Sequence, residues 1–413
     1  MADDPKPAGR PRRLLVVEEA LKNQAAHFYE YVKSVAELNA AVGGETVVVS
    51  HAATDSVIRQ ELQAHALFER SNWDGVYNDP KAWKRYLGIA RHNWYVYRVM
   101  NRFVKQHGPF DVLFAPTVVI YQLIGWRLLM ARHGGRGVKQ IILLFRNNAG
   151  SYPADSSTPV FKRSTSILKW ALQSFRALIA KGQARFVTDS TRLATEYRLL
   201  CGIEPEVWPS PRVAAYAELR ADVPDADAPV VFSCLGPARF EKGIDVMQAA
   251  IKSYIAAHPD GKARFVIQWN APIVDAAGAP YLPDPALRAD PRVTLIEQSM
   301  SSAAYDAAVE ATDVMLLPYR RSSYFARISG VAVEAVTAGV PVIYTRDTWC
   351  EDLVTDVGTG IGVADNDVAG LADAIATMTQ SYPSFRAEAR SRAAKARQSH
   401  SGDAFLDKLW GKP

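Results

Sequence analysis

The sequence predicts an α/β protein of two Rossmann-like domains in series, and three observations carry that prediction. Short apolar runs alternate with helical patterns along nearly the whole chain, as in parallel sheets covered by helices. The alternation stops once, at Ala221–Pro229, an acidic, proline-bearing stretch without periodicity, and then restarts. The chain, at 413 residues, is also too long for one core, since domains cluster near roughly 100–200 residues.

In order along the chain, Met1–Pro11 reads as a disordered tail, and Arg13–Val17 as the first buried strand. Glu45–Ser50, Asp111–Ala115, Gln140–Phe145 and Arg185–Asp189 are further apolar or β-branched runs of strand length. Helical patterns lie between them at Tyr29–Ala41, Asp79–His107 and Ile167–Lys181. After the break come strands at Val230–Cys234, Arg264–Gln268, Val293–Glu297, Val314–Pro318 and Val342–Thr345. Helices at Asp245–His258, Tyr305–Ala311 and Ser329–Ala338 alternate with them, and Phe385–Trp410 reads as a long helical tail. The expected organisation is therefore a tail (1–11), an N-terminal domain (12–220), a linker (221–229), a C-terminal domain (230–384) and a helical tail (385–413) that packs back on the N-terminal domain. Two such domains face each other across a cleft, and parallel sheets bind ligands at the carboxyl ends of their strands.

Composition narrows the function. Three scattered cysteines, Cys201, Cys234 and Cys350, form neither a disulfide framework nor a zinc site and fit a reducing compartment. The apolar run Leu14–Val17 ends at once in Glu18 and Glu19, so no secretory signal is read. The longest uncharged stretch, Val112–Trp126, contains Pro116 and falls short of the roughly 20 residues a spanning helix needs. The expectation is a cytoplasmic protein, with peripheral contact at the inner face of a membrane left open.

The net charge of +5 is unevenly spread. Residues 1–210 carry 28 basic against 18 acidic residues, and residues 211–413 carry 20 against 25. A basic first half suits a phosphorylated acceptor, an acidic membrane surface or nucleic acid, or is simply a solvated face. Phe161–Arg185 and Asp79–His107 mix tryptophan with lysine and arginine as helices lying on anionic bilayers do, and as helices covering a sheet also do. No recognised nucleic-acid module accompanies the charge, so nucleic acid is not the expected partner.

Two segments of the second half carry chemistry. The first, Leu235–Asp245, follows a strand and holds Gly236, Arg239 and Lys242. Gly236 allows a tight turn, and two cations at a strand's carboxyl end suit a diphosphate whose charge grows as it leaves, although an ordinary charged surface loop has the same residues. The second runs from the strand ending at Pro318-Tyr319 through an arginine-bearing loop to Ser329-Gly330-Val331, where a helix opens. Backbone N–H groups at Ser329, Gly330 and Val331, with the helix dipole behind them, make a phosphate site. Glu334, one turn in, is positioned to accept hydrogen bonds from ribose hydroxyls.

The order of these pieces resembles the C-terminal domain of the family 4 retaining glycosyltransferases, which have the GT-B fold. Glu241-Lys242-Gly243, Thr312-Asp313, Pro318, Glu334, Ala338-Gly339-Val340-Pro341-Val342 and Gly358-Thr359-Gly360-Ile361-Gly362-Val363 carry the likeness. It covers roughly residues 185–380. Two positions depart from the family pattern. Pro237 stands where the family has an arginine beside the loop glycine, leaving Arg239 for that role, and Ala326 replaces the first glutamate of the Glu-x7-Glu motif.

What the resemblance implies is a metal-free hexosyltransferase with a nucleoside diphosphate sugar donor, retention of configuration, and a glycan or lipid-linked acceptor. Arg239, Lys242 and Glu334 are then the candidate catalytic residues. Gly236, Tyr324, Arg327, Ser329, Gly330 and Val331 are the candidate donor-binding residues. On the acceptor side it points to the loop Glu18–His27, with His27, and to Arg146 and Asn147 at the end of the fourth strand. Asp225-Ala226-Asp227 and Asp365-Asn366-Asp367 resemble metal-binding Asp-x-Asp pairs, but cations and a helix N-terminus neutralise a diphosphate without a metal, so no cofactor is expected. The alternatives are a nucleotide-sugar epimerase, an inverting GT-B enzyme, or a catalytically degenerate nucleotide-sugar binder.

Overall fold

A computed structural model describes residues 10–24, 27–73, 81–154, 156–211, 228–270, 272–274 and 278–411. Most of the expected tail, the linker except its last two residues, and Asp225-Ala226-Asp227 lie outside them. The chain divides into two compact units. The first comprises 1–150, 161–212 and 405–413; the second comprises 151–160 and 213–404.

The first unit is built on a seven-stranded parallel sheet of β1 (Arg13–Glu18), β2 (Glu45–His51), β3 (His65–Phe68), β4 (Phe110–Ala115), β5 (Val138–Phe145), β6 (Ala184–Thr188) and β7 (Glu206–Val207). Their spatial order is β3-β2-β1-β4-β5-β6-β7. The chain reverses direction of growth between β1 and β4, which pair Leu14 with Val112. Such a switch point opens a crevice at the strands' carboxyl ends. β1 is buried from Leu14 to Glu18, as a strand covered on both faces must be.

Helices cover this sheet. Ile120–His133, whose first half lies in the uncharged stretch Val112–Trp126, is a helix packed along Ala82–His107. Ile167–Lys181, expected as one helix, is two: Thr165–Gln173 and Arg176–Ala180. They part where the Ser174 hydroxyl bonds back to the Ala171 carbonyl at 2.6 Å, a local competitor for helix hydrogen bonds. The final helix, Gly402–Trp410, belongs largely to this unit. Phe405 is fully buried against Tyr31, Phe114 and Trp208.

The second unit has a six-stranded parallel sheet of β8 (Val230–Cys234), β9 (Ala263–Gln268), β12 (Val293–Ile296), β13 (Val314–Leu317), β14 (Val342–Thr345) and β15 (Gly360–Val363). A separate two-stranded ladder pairs β10 (Ile273–Val274) with β11 (Pro280–Tyr281). The order of the main sheet, β12-β9-β8-β13-β14-β15, puts its switch point between β8 and β13. Asp313, part of the family-like Thr312-Asp313 pair, sits at the opposite, amino end of β13. Its carboxylate accepts hydrogen bonds from the Val231 amide at 2.9 Å and the Tyr382 hydroxyl at 2.7 Å, fastening β13 to β8. The helical tail starts earlier than its sequence pattern, at Val368, and continues to Ser399 through Pro383 with a kink at Ser381.

Candidate active site

At the switch point of the second unit, β8 ends at Cys234 and the chain turns through Gly236, held in the left-handed region at φ +84°. The Gly236 amide donates to the Gln268 side-chain oxygen at 2.6 Å, which fixes the turn against the end of β9. The motifs do not point to Gln268; a polar residue closing an apolar strand is its only signal in the sequence.

A short turn, Phe240–Lys242, then folds the Lys242 side chain back beneath Gly236. A Cβ on Gly236 would lie 2.5 Å from the Lys242 ammonium nitrogen and 3.7 Å from a methyl of Val331. Gly236, Lys242 and Val331, which come from separate segments, therefore meet at one point. Lys242 is 9 % exposed, and among the described residues its Nζ reaches the Leu235 carbonyl at 3.5 Å and the face of Tyr319 at 6.0 Å. Among the described residues no carboxylate pairs with it. Burial pushes its pKa down to about 8, because the charged form loses hydration without gaining an anion.

Arg239 and Arg327 surround this ammonium. The Arg239 guanidinium reaches Glu241 at 3.3 Å, and Arg327 reaches the same carboxylate at 3.5 Å. Three cations thus gather beside a single acid that pairs with only the two arginines, an arrangement that suits an arriving diphosphate. The Ser329 hydroxyl caps its helix by accepting from the Ala332 amide at 3.2 Å. Among the described residues the amides of Ser329, Gly330 and Val331 have no acceptor, as the first turn of a helix leaves them. Glu334 is buried, accepts from the Tyr305 hydroxyl, and turns its other oxygen toward Gly330.

The loop between Pro318 and Ser329 rests on aromatic rings. Tyr324 is buried; its ring lies 4.3 Å from that of Tyr319 and carries the Arg327 guanidinium 5.0 Å above it. Burial raises its hydroxyl to about 12. Tyr324 thus supports Arg327 from inside the core. Ala326 is fully buried, so the loop offers no side chain there. Arg321, which no motif marks, is buried and donates to the carbonyls of Pro153 at 2.7 Å and Ser156 at 2.9 Å. It holds the 151–160 segment to this loop, while the Tyr152 and Phe325 rings meet 4.2 Å apart at a tilt of 31°. Asp365 accepts from the Arg321 amide at 3.2 Å, and Asp367 caps the following helix through the Gly370 amide at 2.8 Å.

The first unit gathers titratable groups at its own switch point. Glu18 ends β1 and Glu19 follows it, and both are buried. Glu19 accepts from the Asn72 amide at 2.6 Å and pairs with His92 Nε2 at 3.0 Å. His92 is not among the residues expected from sequence, though a histidine on the buried stripe of an amphipathic helix is a readable signal. Arg146 directly follows β5, with its guanidinium 4.1 Å over the Tyr31 ring and 3.6 Å from Asp189. The Asn147 carbonyl accepts from the Tyr197 hydroxyl at 3.2 Å. The side chain of His27 lies outside the described residues.

Burial, the largest effect on Glu18, raises its pKa from 4.5 to about 7. A carboxyl raised on folding contributes stability that is complete below pH 4.5 and lost as pH climbs through 7. Glu18→Gln is therefore expected to stabilise the protein at pH 8 by up to about 3 kcal/mol and to change little at pH 4. Denaturant midpoints of the two proteins at both pH values check this.

Residues 229–381 match the family model described as Glycosyl transferases group 1. No curated protein matches the chain by sequence. Solved structures share its fold over nearly their whole length. Sucrose-phosphate synthase from Thermosynechococcus elongatus is 15 % identical with a TM-score of 0.61, over 96 % of this chain and 97 % of that one. The E. coli trehalose-6-phosphate structure with UDP-2-fluoro glucose bound is 12 % identical with a TM-score of 0.62, over 97 % and 99 %. Anabaena Alr3699/HepE in complex with UDP and glucose is 12 % identical with a TM-score of 0.60, over 96 % and 97 %. The resemblance carried by the motifs is borne out: residues 229–381, in the second unit, match the group 1 glycosyltransferase model, and the chain shares the fold of these two-domain structures.

Proposed function

We propose that this glycosyltransferase moves a hexose, with retention and without a metal ion, from a nucleoside diphosphate sugar to a glycan or lipid-linked acceptor. The observation that carries the reading is the buried ammonium of Lys242 beneath Gly236, beside the opening turn of the helix Gly330–Thr337. An ion held there without a counter-anion is stabilised by a bound diphosphate. In this reading Lys242, Arg239 and Arg327 hold the diphosphate together with the Ser329–Val331 amides, and Glu334 takes the ribose hydroxyls. Catalysis comes from orienting the two substrates and stabilising the leaving diphosphate. The acceptor side falls to Glu18, Glu19, Arg146 and Asn147.

UDP is the first nucleotide to test, because two of the similar structures hold UDP or a UDP-sugar. Thermal melting against UDP-, GDP- and ADP-sugars, with and without EDTA, is the experiment. One nucleotide is expected to raise the melting temperature by several degrees, to the same extent with EDTA present. A shift abolished by EDTA overturns the metal-free reading, and no shift with any nucleotide overturns the donor site. A second reading, a nucleotide-sugar binder without turnover, is favoured by Ala326, whose buried methyl stands where the resembling family carries a glutamate. Binding without transfer across a broad acceptor panel selects it.

A further inference from the structure

From residue 80 to residue 188 the chain has 18 lysines and arginines and only two acidic residues, Asp111 and Asp155. The helix Ala82–His107 opens this stretch and contains six cations and no carboxylate. Its buried stripe includes His92, Val96, Met100 and Phe103. Its outer stripe steps by three or four residues through Trp83, Leu87, Arg91, Trp94, Arg98 and Arg102. Trp83 is 62 % exposed, Trp94 54 % and Leu87 41 %. Among the described residues none of Arg91, Arg98 or Arg102 has a carboxylate within ion-pair distance. The next helix but one in the same layer, Thr165–Gln173, exposes Trp170 to 62 % beside Lys169.

We propose that the outer face of the helix Ala82–His107 docks this protein on an anionic phospholipid surface, with Trp83, Leu87 and Trp94 entering the headgroup layer and Arg91, Arg98 and Arg102 meeting lipid phosphates. Large indoles held out in water lose hydrophobic stabilisation, whereas the headgroup boundary accommodates both their apolar body and their N–H. A row of cations without interspersed acids matches a surface of one sign, and each gains about fivefold in partition near an anionic leaflet. A nucleic acid shares the charge but does not account for Leu87 and two isolated tryptophans on the same stripe. The proposal goes beyond the donor site and does not need a nucleotide sugar.

The full-length protein is to be sedimented with phosphatidylcholine vesicles, and with the same vesicles containing phosphatidylglycerol, at low and high salt. Binding is expected only to the anionic vesicles and to weaken as salt rises. Arg91→Gln/Arg98→Gln/Arg102→Gln is expected to lower binding on the order of a hundredfold. Trp83→Ser/Trp94→Ser is expected to lower it on the order of tenfold. Lys395→Gln, an exposed cation of the second unit, is expected to leave it unchanged. Circular dichroism and the donor-induced melting shift verify that each variant is folded. No vesicle binding, equal binding to both lipids, or binding to an oligonucleotide in place of vesicles overturns the proposal. So does a tryptophan-dependent dimer that forms without lipid.

Discussion

Lys242→Met is expected to lose the donor-induced melting shift and to reduce transfer by a factor on the order of 100–1,000, the usual cost of removing one preorganised charge from a leaving group. The same substitution is expected to make the unliganded protein more stable. Burial holds the Lys242 ammonium at about 8 against 10.5 for a solvated lysine. A cation whose pKa is lowered on folding destabilises the native state fully below pH 8, and the cost fades as pH rises from 8 to 10.5. At pH 7 methionine therefore gains up to about 3 kcal/mol, and the advantage shrinks in alkaline buffer. Loss of function with gain of stability is the pattern of a binding residue held under electrostatic strain.

The wild-type protein supplies a third readout. Only the charged lysine attracts a diphosphate, so donor affinity is expected to be level below pH 7 and to fall by up to about tenfold per pH unit above 8. Calorimetric titration with the donor across pH 6.5–9.5 measures this. Unchanged donor affinity in Lys242→Met, or a flat profile, removes Lys242 from the site and with it the central support for the proposed chemistry.

Much of this arrangement is legible in the sequence because parallel strands are continuous apolar runs. Val230–Cys234 and Val342–Thr345 can be read closely, since each follows a proline and meets a glycine or a charged residue within two positions of its end. β3 and β7 cannot: His65–Phe68 and Glu206–Val207 are edge strands too short to carry a period. The helix Ile120–His133 is hidden because it is apolar on several sides, with the exposed Leu128 opposite the buried Leu123, Trp126 and Leu129, so no clear helical periodicity separates it from β4. In the site, Gly236, Lys242 and Val331 are each marked by their own segment, but nothing local in the sequence brings Lys242 under Gly236. Tyr324 and Arg327 read alike as donor contacts, whereas the structure has one stacked on the other. The roles of Arg321 and His92 are hidden for a different reason: each is defined by partners more than 70 residues away, at Pro153, Ser156 and Glu19.

Gly243→Ala is expected to damage the site as severely as removing the lysine beside it, and by a different route. Gly243 closes the turn that carries Lys242, in the left-handed region at φ +69°. A Cβ there would fall 1.8 Å from the Pro318 carbonyl oxygen, inside the backbone at the end of β13. The turn and the following loop are joined at this place by the Arg320 amide, which donates to the Glu241 carbonyl at 2.9 Å, and by the Arg320–Asp245 ion pair. Alanine therefore has to push the Lys242 turn away from β13, and both joints open. The expected cost is about 2–4 kcal/mol of stability, combining backbone strain with the displaced contact, together with loss of the donor-induced shift. Gly278→Ala separates the two causes, because Gly278 has φ +83° and, among the described residues, no atom within 4 Å of where a Cβ would stand. It is expected to cost only the left-handed strain, about 1–2 kcal/mol, and to keep donor binding. Equal losses in the two variants would mean that the close seat of the turn on β13 does not place Lys242. A larger loss in Gly243→Ala, with donor binding gone, would make backbone proximity the reason the glycine stands directly after the lysine.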